Sequence, residues 1–140
     1  FGDYQCPFCG RFFSQTEPQI RENYVKTGKA KFVYKDLAFL GQESIDAALA
    51  ANCAGEQGKF WEYHDSLFRA EIKDAEENNG NLNKSLFLSL ARSAKLNEGQ
   101  FTSCFDSKKY SAEVEGDIAE AQESLPQVST PSTFVNNKLV

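Results

Sequence analysis

Residues 1–9 read FGDYQCPFC, and this stretch combines a C-x-x-C motif with the start of a helix. Pro7 follows Cys6 directly, and proline is favoured at the first position of a helix, so Cys6 is predicted to be the N-cap. Phenylalanines recur after it at helical spacing. Because cysteines at i and i+3 share one helix face, Cys6 and Cys9 are expected to lie close enough to form a disulfide.

The predicted position of Cys6 has a chemical consequence. Unpaired backbone N–H groups and the positive end of the helix dipole favour a thiolate at a helix N-terminus. Cysteines in such places have pKa values of roughly 3.5–7.5. A stabilised thiolate is both a nucleophile and a leaving group, which thiol–disulfide exchange requires. Cys9 lies one turn deeper and is predicted to be the resolving thiol.

The alternative interpretation of the motif is half of a zinc site. Zinc ribbons need a second cysteine pair at close spacing. The chain contains four cysteines, and the other two, Cys53 and Cys104, lie far apart on apolar helical stripes. We therefore predict no metal at the motif.

Outward from the motif, the sequence alternates between strand and helix signals. The first helix is expected to kink or break at Pro18. We predict a strand at residues 29–37 (KAKFVYKDL) and two more on either side of the Asn136-Asn137 turn. The first of these would complete a βαβ unit with a strand that precedes residue 1. Apolar residues at helical spacing predict helices between them, with a solvated polar loop at 71–83; these helices cover 45–53, 60–68, 86–94, 101–105 and 108–123.

Composition limits the classes of function. The chain has 140 residues, 41% of them apolar and 25% charged, which is typical of a globular domain. Its net charge of −5 argues against nucleic acid or an anionic membrane as the main partner. No apolar run reaches the length of a membrane span. Because the sequence contains no methionine, we expect it to be a piece of a longer chain.

Three segments in this order resemble the DsbA-like thiol:disulfide oxidoreductases, and most of all their BdbD-like branch. They are FGDYQCPFC at 1–9, GKFWEYHDSLF at 58–68 and STPSTFVN at 129–136. The resemblance implies an α/β thioredoxin-like fold with an inserted all-helical subdomain. On that basis residues 1–38 and 126–140 are the thioredoxin-like part and 39–125 the helical insertion. The sheet is expected to be truncated at both ends.

The resemblance also assigns roles to residues. Cys6 becomes the exposed nucleophile and Cys9 the resolving cysteine. Pro131 becomes the cis-proline beside the active site, and the backbone of Thr130 becomes the edge that pairs with a substrate peptide by strand addition.

Between the cysteines the chain departs from the family. The active-site dipeptide is Pro7-Phe8, whereas the best-known oxidases have Pro-His, whose histidine helps to stabilise the thiolate. We therefore expect a milder oxidant. The segment after Thr130-Pro131 also differs, with Ser-Thr-Phe and later Asn-Asn in place of the usual Thr-Phe-Phe and Asn-Gly.

The function implied is the introduction of disulfides into client proteins by dithiol–disulfide exchange at Cys6 and Cys9. A membrane quinone-linked partner of the DsbB or vitamin-K-epoxide-reductase type is expected to reoxidise the pair, with no organic cofactor and no nucleic acid involved. The implied location is extracytoplasmic in bacteria, in the periplasm or cell envelope, with any membrane anchor outside this chain. The alternatives are a reductase or isomerase and, in a different class, a non-catalytic binding module with a structural or metal-bound cysteine pair.

Cys53 and Cys104 have two possible states. They are either free buried thiols or, as the resemblance and an oxidising compartment favour, a structural disulfide. Closing a loop of about 50 residues would stabilise the fold by near 4 kcal/mol in the chain-entropy model.

Other residues have a functional and a structural interpretation. His64, the only histidine, is favoured as a hydrogen-bonded core residue over a general base. The oxygen-rich stretch 74–79 fails the EF-hand spacing and is favoured as a solvated loop over a calcium site. Phe1, Tyr4 and Phe8 form either an apolar platform for clients or part of the core, and the sequence leaves both open.

Overall fold

A computed structural model describes residues 1–74 and 76–140 of the chain. Most of these residues are helical, and two short strands form a hairpin near the C-terminal end. Ala75, inside the predicted polar loop, lies outside the described residues. The elements in chain order are α1 (Pro7–Gln15), α2 (Glu17–Ile20), a π-helical turn (Arg21–Val25), α3 (Gln42–Glu56), α4 (Phe60–Asp74), α5 (Lys84–Ser93), α6 (Glu98–Asp106), α7 (Ser111–Ser124), β1 (Phe134–Val135) and β2 (Lys138–Leu139).

Local signals placed several of these boundaries correctly. Helix α1 begins at Pro7 with Cys6 as its N-cap, as predicted. The predicted N-cap Asn97 is also confirmed, because its side chain accepts a hydrogen bond from the amide of Gln100. In the hairpin turn, Asn136 and Asn137 both have positive φ, 49° and 64°, which asparagine tolerates better than most residues.

The predicted break in the first helix is confirmed, although it comes two residues before Pro18. Helix α1 ends at Gln15 and α2 begins at Glu17, with Thr16 between them. Pro18 lies in the first turn of α2, where a missing backbone N–H leaves no helical hydrogen bond unmade.

The predicted strand at residues 29–37 is wrong. Among the described residues this segment forms a single parallel bridge, in which Gly2 pairs with Asp36. Gly2 N donates to Lys35 O at 3.0 Å, and Leu37 N donates to Gly2 O at 2.8 Å. A segment with strand propensity forms a strand only when it pairs with a neighbouring strand. Within the described part of the chain, residues 29–34 have no such partner. Apart from this bridge, residues 30–37 have no regular secondary structure.

The core places the cysteine motif against the helices. Five alanines of α3 are fully buried, and four of them belong to the main core cluster: Ala47, Ala50, Ala51 and Ala54. Cys6 and Cys9 belong to the same buried cluster as these residues. A smaller cluster of Leu37, Ala121 and Leu125, with Phe1 and Phe134 packed on it, joins the two ends of the chain.

Two further observations bear on the predicted architecture. Cys53 of α3 and Cys104 of α6 form a disulfide with a Cα–Cα distance of 5.8 Å. In residues 1–74 and 76–140, no helix is both long and apolar enough to cross a membrane.

Candidate active site

Cys6 and Cys9 are both free thiols at the N-terminus of α1. Cys6 is 7% exposed and Cys9 is 3% exposed. The carbonyl of Cys6 accepts a 3.0 Å hydrogen bond from the amide of Gly10, so Cys6 is fixed to the first turn of the helix. Cys6 is therefore the sulfur nearer to solvent, and Cys9 lies beneath it.

The environment of Cys6 favours its thiolate. The hydrogen bond from the Cys9 thiol is the largest cause, and it lowers the pKa of Cys6 from 9.0 to about 6 against the opposing effect of burial. The backbone amides of Phe8 and Cys9 also donate to this sulfur. A pKa near 6 makes roughly nine-tenths of Cys6 thiolate at pH 7, against about one per cent at its ordinary value.

Cys9 has the opposite character. Its hydrogen bond to the Cys6 sulfur and its burial both raise the pKa of Cys9, although the backbone amide of Asp3 donates to it. At neutral pH the pair therefore shares one proton, which stays on Cys9 while Cys6 carries the charge.

The loop before β1 faces Cys6 across the site. The Thr130–Pro131 peptide bond is cis. The Cys6 thiol donates to Thr130 O at 3.5 Å, and Ser132 N donates to Phe1 O at 3.0 Å, which anchors the loop. The Thr130 hydroxyl is buried without a partner among the described residues. It lies close enough to the Cys6 sulfur to favour the thiolate, which further lowers the pKa of Cys6.

The structure decides which of Phe1, Tyr4 and Phe8 belong to the core and which could form an apolar surface. Tyr4 is 1% exposed and belongs to the core, so it forms no part of a surface platform. Phe1 is half-buried and packs edge-on against Phe134. Phe8 is 62% exposed, with the Arg11 guanidinium 5.6 Å from its ring centre. Only Phe8 of the three presents a large apolar surface beside the cysteines.

A groove of about 250 Å³ opens beside Cys6 between α1 and α4. Its walls are mainly apolar, with two charged side chains at its edge; the lining includes Tyr4, Phe68, Ile72, Arg11 and Glu71. The sequence predicted an exposed Cys6, but the residue is buried, and this groove is where its sulfur can be approached over apolar surface.

His64 lies in the core, as favoured from the sequence. It is 0% exposed, and its Nδ1 is 3.0 Å from the hydroxyl of Tyr4. Glu17, His64 and Asp65 bring ligand atoms within 4.8 Å of one another, a spacing that suits a metal ion. However, the guanidinium of Arg21 already pairs with both carboxylates. Asp65 also pairs with Arg69, so cations of the chain itself already occupy both carboxylates.

The cysteines cannot supply a four-thiolate zinc site. Cys53 and Cys104 are bonded to each other, so they are unavailable as partners for Cys6 and Cys9. The second pair that the zinc interpretation required is therefore absent.

Asp36, beside the bridge to Gly2, is a buried carboxyl group whose protonation can be tested. Asp36 is 4% exposed and accepts a 2.9 Å hydrogen bond from Asn52. Burial is the main cause that raises the pKa of Asp36 from 3.8 to about 7. The folded chain thus holds a proton between these pH values that the unfolded chain has lost.

We expect the contribution of Asp36 to stability to fall as the pH rises from about 4 to about 7, by up to about 4 kcal/mol. Asp36→Asn should remove that slope, because the amide cannot ionise. Urea unfolding measured at pH 4, 5.5 and 7 checks this, with exposed Asp106→Asn as the matched control. An unchanged slope in Asp36→Asn would contradict the assignment.

The comparisons with known proteins agree with this geometry. A family model described as Thioredoxin matches residues 1–140. The chain belongs to this thioredoxin family. The probable disulfide bond formation protein D of Bacillus cereus is 30% identical over 143 residues, covering 99% of this chain and 64% of the relative. The disulfide bond formation protein D of Bacillus subtilis strain 168 is 29% identical, with 100% and 63% covered.

Solved structures match this thioredoxin-family chain over its whole length. The crystal structure of oxidised BdbD from Bacillus subtilis superimposes with a TM-score of 0.88 at 29% identity, covering 100% of this chain and 75% of that one. The resemblance to DsbA-like proteins and the thioredoxin-like fold class are thereby confirmed. The chain spans a little less than two-thirds of the curated relatives it matches.

The sequence did not predict the residues whose hydrogen bonds fix the backbone just before Cys6. The carboxylate of Asp3 accepts hydrogen bonds from the amides of Gln5, Phe39 and Leu40 and from the hydroxyl of Ser44. Asp3 lies three residues before Cys6, but its neighbours along the chain do not indicate these distant partners.

Proposed function

We propose that this chain is a thiol:disulfide oxidoreductase that introduces disulfides into client proteins. The observation that carries the proposal is the asymmetry of the cysteine pair. The less buried Cys6 has a pKa lowered to about 6, whereas the pKa of Cys9 is raised. The names of the Bacillus relatives support the same activity.

The reaction begins from the Cys6–Cys9 disulfide. A client thiolate attacks the sulfur of Cys6, forming a client–Cys6 bond and breaking the Cys6–Cys9 bond. The electron pair of that bond leaves on Cys9, whose high pKa ensures that the sulfur takes up a proton.

A second client thiolate then attacks the client sulfur of the mixed disulfide. The new client disulfide forms, and Cys6 leaves as a thiolate. A leaving group of low pKa departs faster, so the lowered pKa of Cys6 accelerates this step. The client loses two electrons, and the cysteine pair gains them.

The same thiolate sets the direction of the exchange. Stabilising the Cys6 thiolate favours the reduced pair by about tenfold at pH 7, which raises the reduction potential by about 30 mV. Helix-end amides and the Cys9 thiol supply this effect without a histidine at position 8. We therefore propose an oxidant that is milder than Pro-His members of the family.

The docking edge for clients is proposed to be the backbone of Thr130. Its carbonyl already faces the Cys6 sulfur at 3.5 Å, so an extended peptide paired with this loop would present its own sulfur to Cys6.

The division into a thioredoxin-like part (1–38 and 126–140) and a helical insertion (39–125) is proposed as well.

An extracytoplasmic location is proposed from the Cys53–Cys104 disulfide, because such bonds persist in oxidising compartments. Reoxidation of Cys6 and Cys9 is proposed to need a membrane quinone-linked partner of the DsbB or vitamin-K-epoxide-reductase type.

Equilibration with reduced and oxidised glutathione tests the direction. We expect a potential clearly above roughly −270 mV, the value of thioredoxin. A potential at or below that value would make the chain a reductase and overturn the proposal.

Replacing Phe8 by His should raise this potential further. Phe8 is exposed beside Cys6, so an imidazolium in its place would attract the thiolate and stabilise the reduced pair. We expect an increase of about 30 mV or more, with a correspondingly lower pKa of Cys6. Phe8→Leu is the matched control, because it changes the ring without adding a charge, and it should move neither quantity. Equal shifts in the two variants would refute the electrostatic explanation.

A further inference from the structure

Gln5 immediately precedes Cys6, and its side chain is buried. Both the NH2 group and the carbonyl oxygen of its side-chain amide form hydrogen bonds. Gln5 is 2% exposed. Its Nε2 donates to Ser44 Oγ at 2.8 Å and to Asn78 Oδ1 at 3.2 Å. Its Oε1 accepts a 2.6 Å hydrogen bond from the backbone amide of Asn78. Asn78 therefore binds both the donor and the acceptor of a side chain next to the nucleophile, from 73 residues away along the chain.

The site that receives Asn78 is shaped for it. Asn78 Nδ2 donates to Leu40 O at 2.7 Å, which fixes the orientation of the side-chain amide. Gly41, the next residue, has φ 133°, and a Cβ there would lie 2.3 Å from Asn78 Oδ1. Asn78 itself has φ 52°, in the left-handed region that asparagine enters more readily than most residues. Positions 41 and 78 thus each suit this contact.

The prediction of a solvated loop at residues 71–83 is confirmed in part. Residues 71–74 belong to α4, whereas residues 76–80 are non-helical and exposed, as predicted, and are also bound to the chain around them. The carboxylate of Glu43 accepts hydrogen bonds from the amides of Gly80 and Leu82, so the segment is held on the α3 side as well.

The contacts continue from Gln5 to the backbone of Cys6 and to the sulfur of Cys9. The amide of Gln5 donates to Asp3 Oδ1 at 2.9 Å, and the amide of Cys6 donates to Asp3 O at 3.1 Å. The amide of Asp3 donates to the Cys9 sulfur. Small rotations of residues 3–5 would therefore change the distances among Cys6, Cys9 and their donors.

We infer that Asn78 is a positioning residue for the cysteine pair: by clamping the side chain of Gln5, it holds the backbone at Cys6 in the geometry that stabilises the thiolate. The inference deepens the proposed function and rests on Cys6 being its nucleophile. On this inference, a residue of the loop before α5 helps to stabilise the Cys6 thiolate.

Replacing Asn78 by Gly tests the clamp, because glycine keeps the positive φ and removes only the side chain. We expect the pKa of Cys6 to rise by about 0.5–1 unit, which lowers its alkylation rate at pH 6 about two- to fivefold. The measurement is the pH profile of iodoacetamide labelling of Cys6 in the reduced full chain. Asn79→Gly is the matched control, since the Asn79 side chain bonds to Asp74 and Asn81 and not to Gln5.

A double-variant cycle separates positioning from general stability. If Asn78 acts through Gln5, then Gln5→Ala should raise the pKa of Cys6 similarly, and adding Asn78→Gly should raise it no further. A lower melting temperature in Asn78→Gly with an unchanged Cys6 pKa would overturn the inference, as would additive pKa shifts. Asn78→Ser replaces Asn78→Gly if the latter lacks a native thermal transition, with a shift in the same direction expected.

The glutathione potential of the parent chain is measured separately. A thioredoxin-like potential would overturn the proposed oxidase, whereas the labelling profiles alone decide the role of Asn78.

Discussion

Cys9→Ala should accumulate mixed disulfides on Cys6, whereas Cys6→Ala should accumulate none. In the first variant the Cys6 thiolate still attacks a disulfide, such as oxidised glutathione, and releases one thiol. No neighbouring thiol then resolves the new bond, because the buried partner is gone. In the second variant the remaining Cys9 is 3% exposed, and its burial still raises the pKa of its thiol after the Cys6 sulfur is gone, so it attacks nothing.

Both variants should oxidise a dithiol peptide at below about one-thousandth of the parent rate, because neither can form the Cys6–Cys9 disulfide from which the proposed reaction starts. Mass spectrometry under non-reducing conditions measures the adducts, and the peptide assay measures turnover. The two variants are matched controls for each other, since each removes one sulfur from the same turn of α1. Equal trapping by both would mean that the roles of the cysteines are wrongly assigned.

The second large effect concerns the Cys53–Cys104 disulfide. It closes a loop across α3 and α6 with a sequence separation of 51 residues. In the chain-entropy model, losing such a loop costs about 4 kcal/mol of stability. Replacing both cysteines by Ala should therefore shift the urea midpoint down strongly, and it also removes packing at two buried positions.

The experiment is cleanest in a Cys6→Ala/Cys9→Ala background, where this disulfide is the only one that can form among the four cysteines. Dithiothreitol should then lower the midpoint of the background chain almost to that of the quadruple variant. The reductant should leave the quadruple variant unchanged. If dithiothreitol does not change the urea midpoint of the background chain, the disulfide contributes little to its stability.

The helix starts and the cysteine motif could be predicted from sequence because their causes are local. A proline after Cys6, and asparagines that accept from amides three residues ahead, act within one turn of the chain. The lowered pKa of Cys6 follows in part from the same local geometry, since the amides of Phe8 and Cys9 belong to the first turn of α1.

The errors and the features that the sequence left open share a different physical origin. Residues 29–37 carry strand propensity, but a strand also needs a partner, and its identity is not encoded in the segment itself. The burial of Tyr4 depends on His64 and Phe68, about 60 residues away. The contact of Asn78 with Gln5 spans 73 residues. A sequence pattern reports neighbours along the chain, whereas these features depend on neighbours in space.

The approach of Thr130 to Cys6 joins groups 124 residues apart, at opposite ends of the chain. Contacts of such long sequence separation form late, because the entropy of closing the intervening chain must be overcome first. An unfinished fold therefore lacks the Thr130 contact, but the hydrogen bond from Cys9, which is the largest cause of the lowered pKa of Cys6, needs only the first turn of α1. The reactive sulfur thus forms early in folding, before the loop on which a client is proposed to dock has reached it.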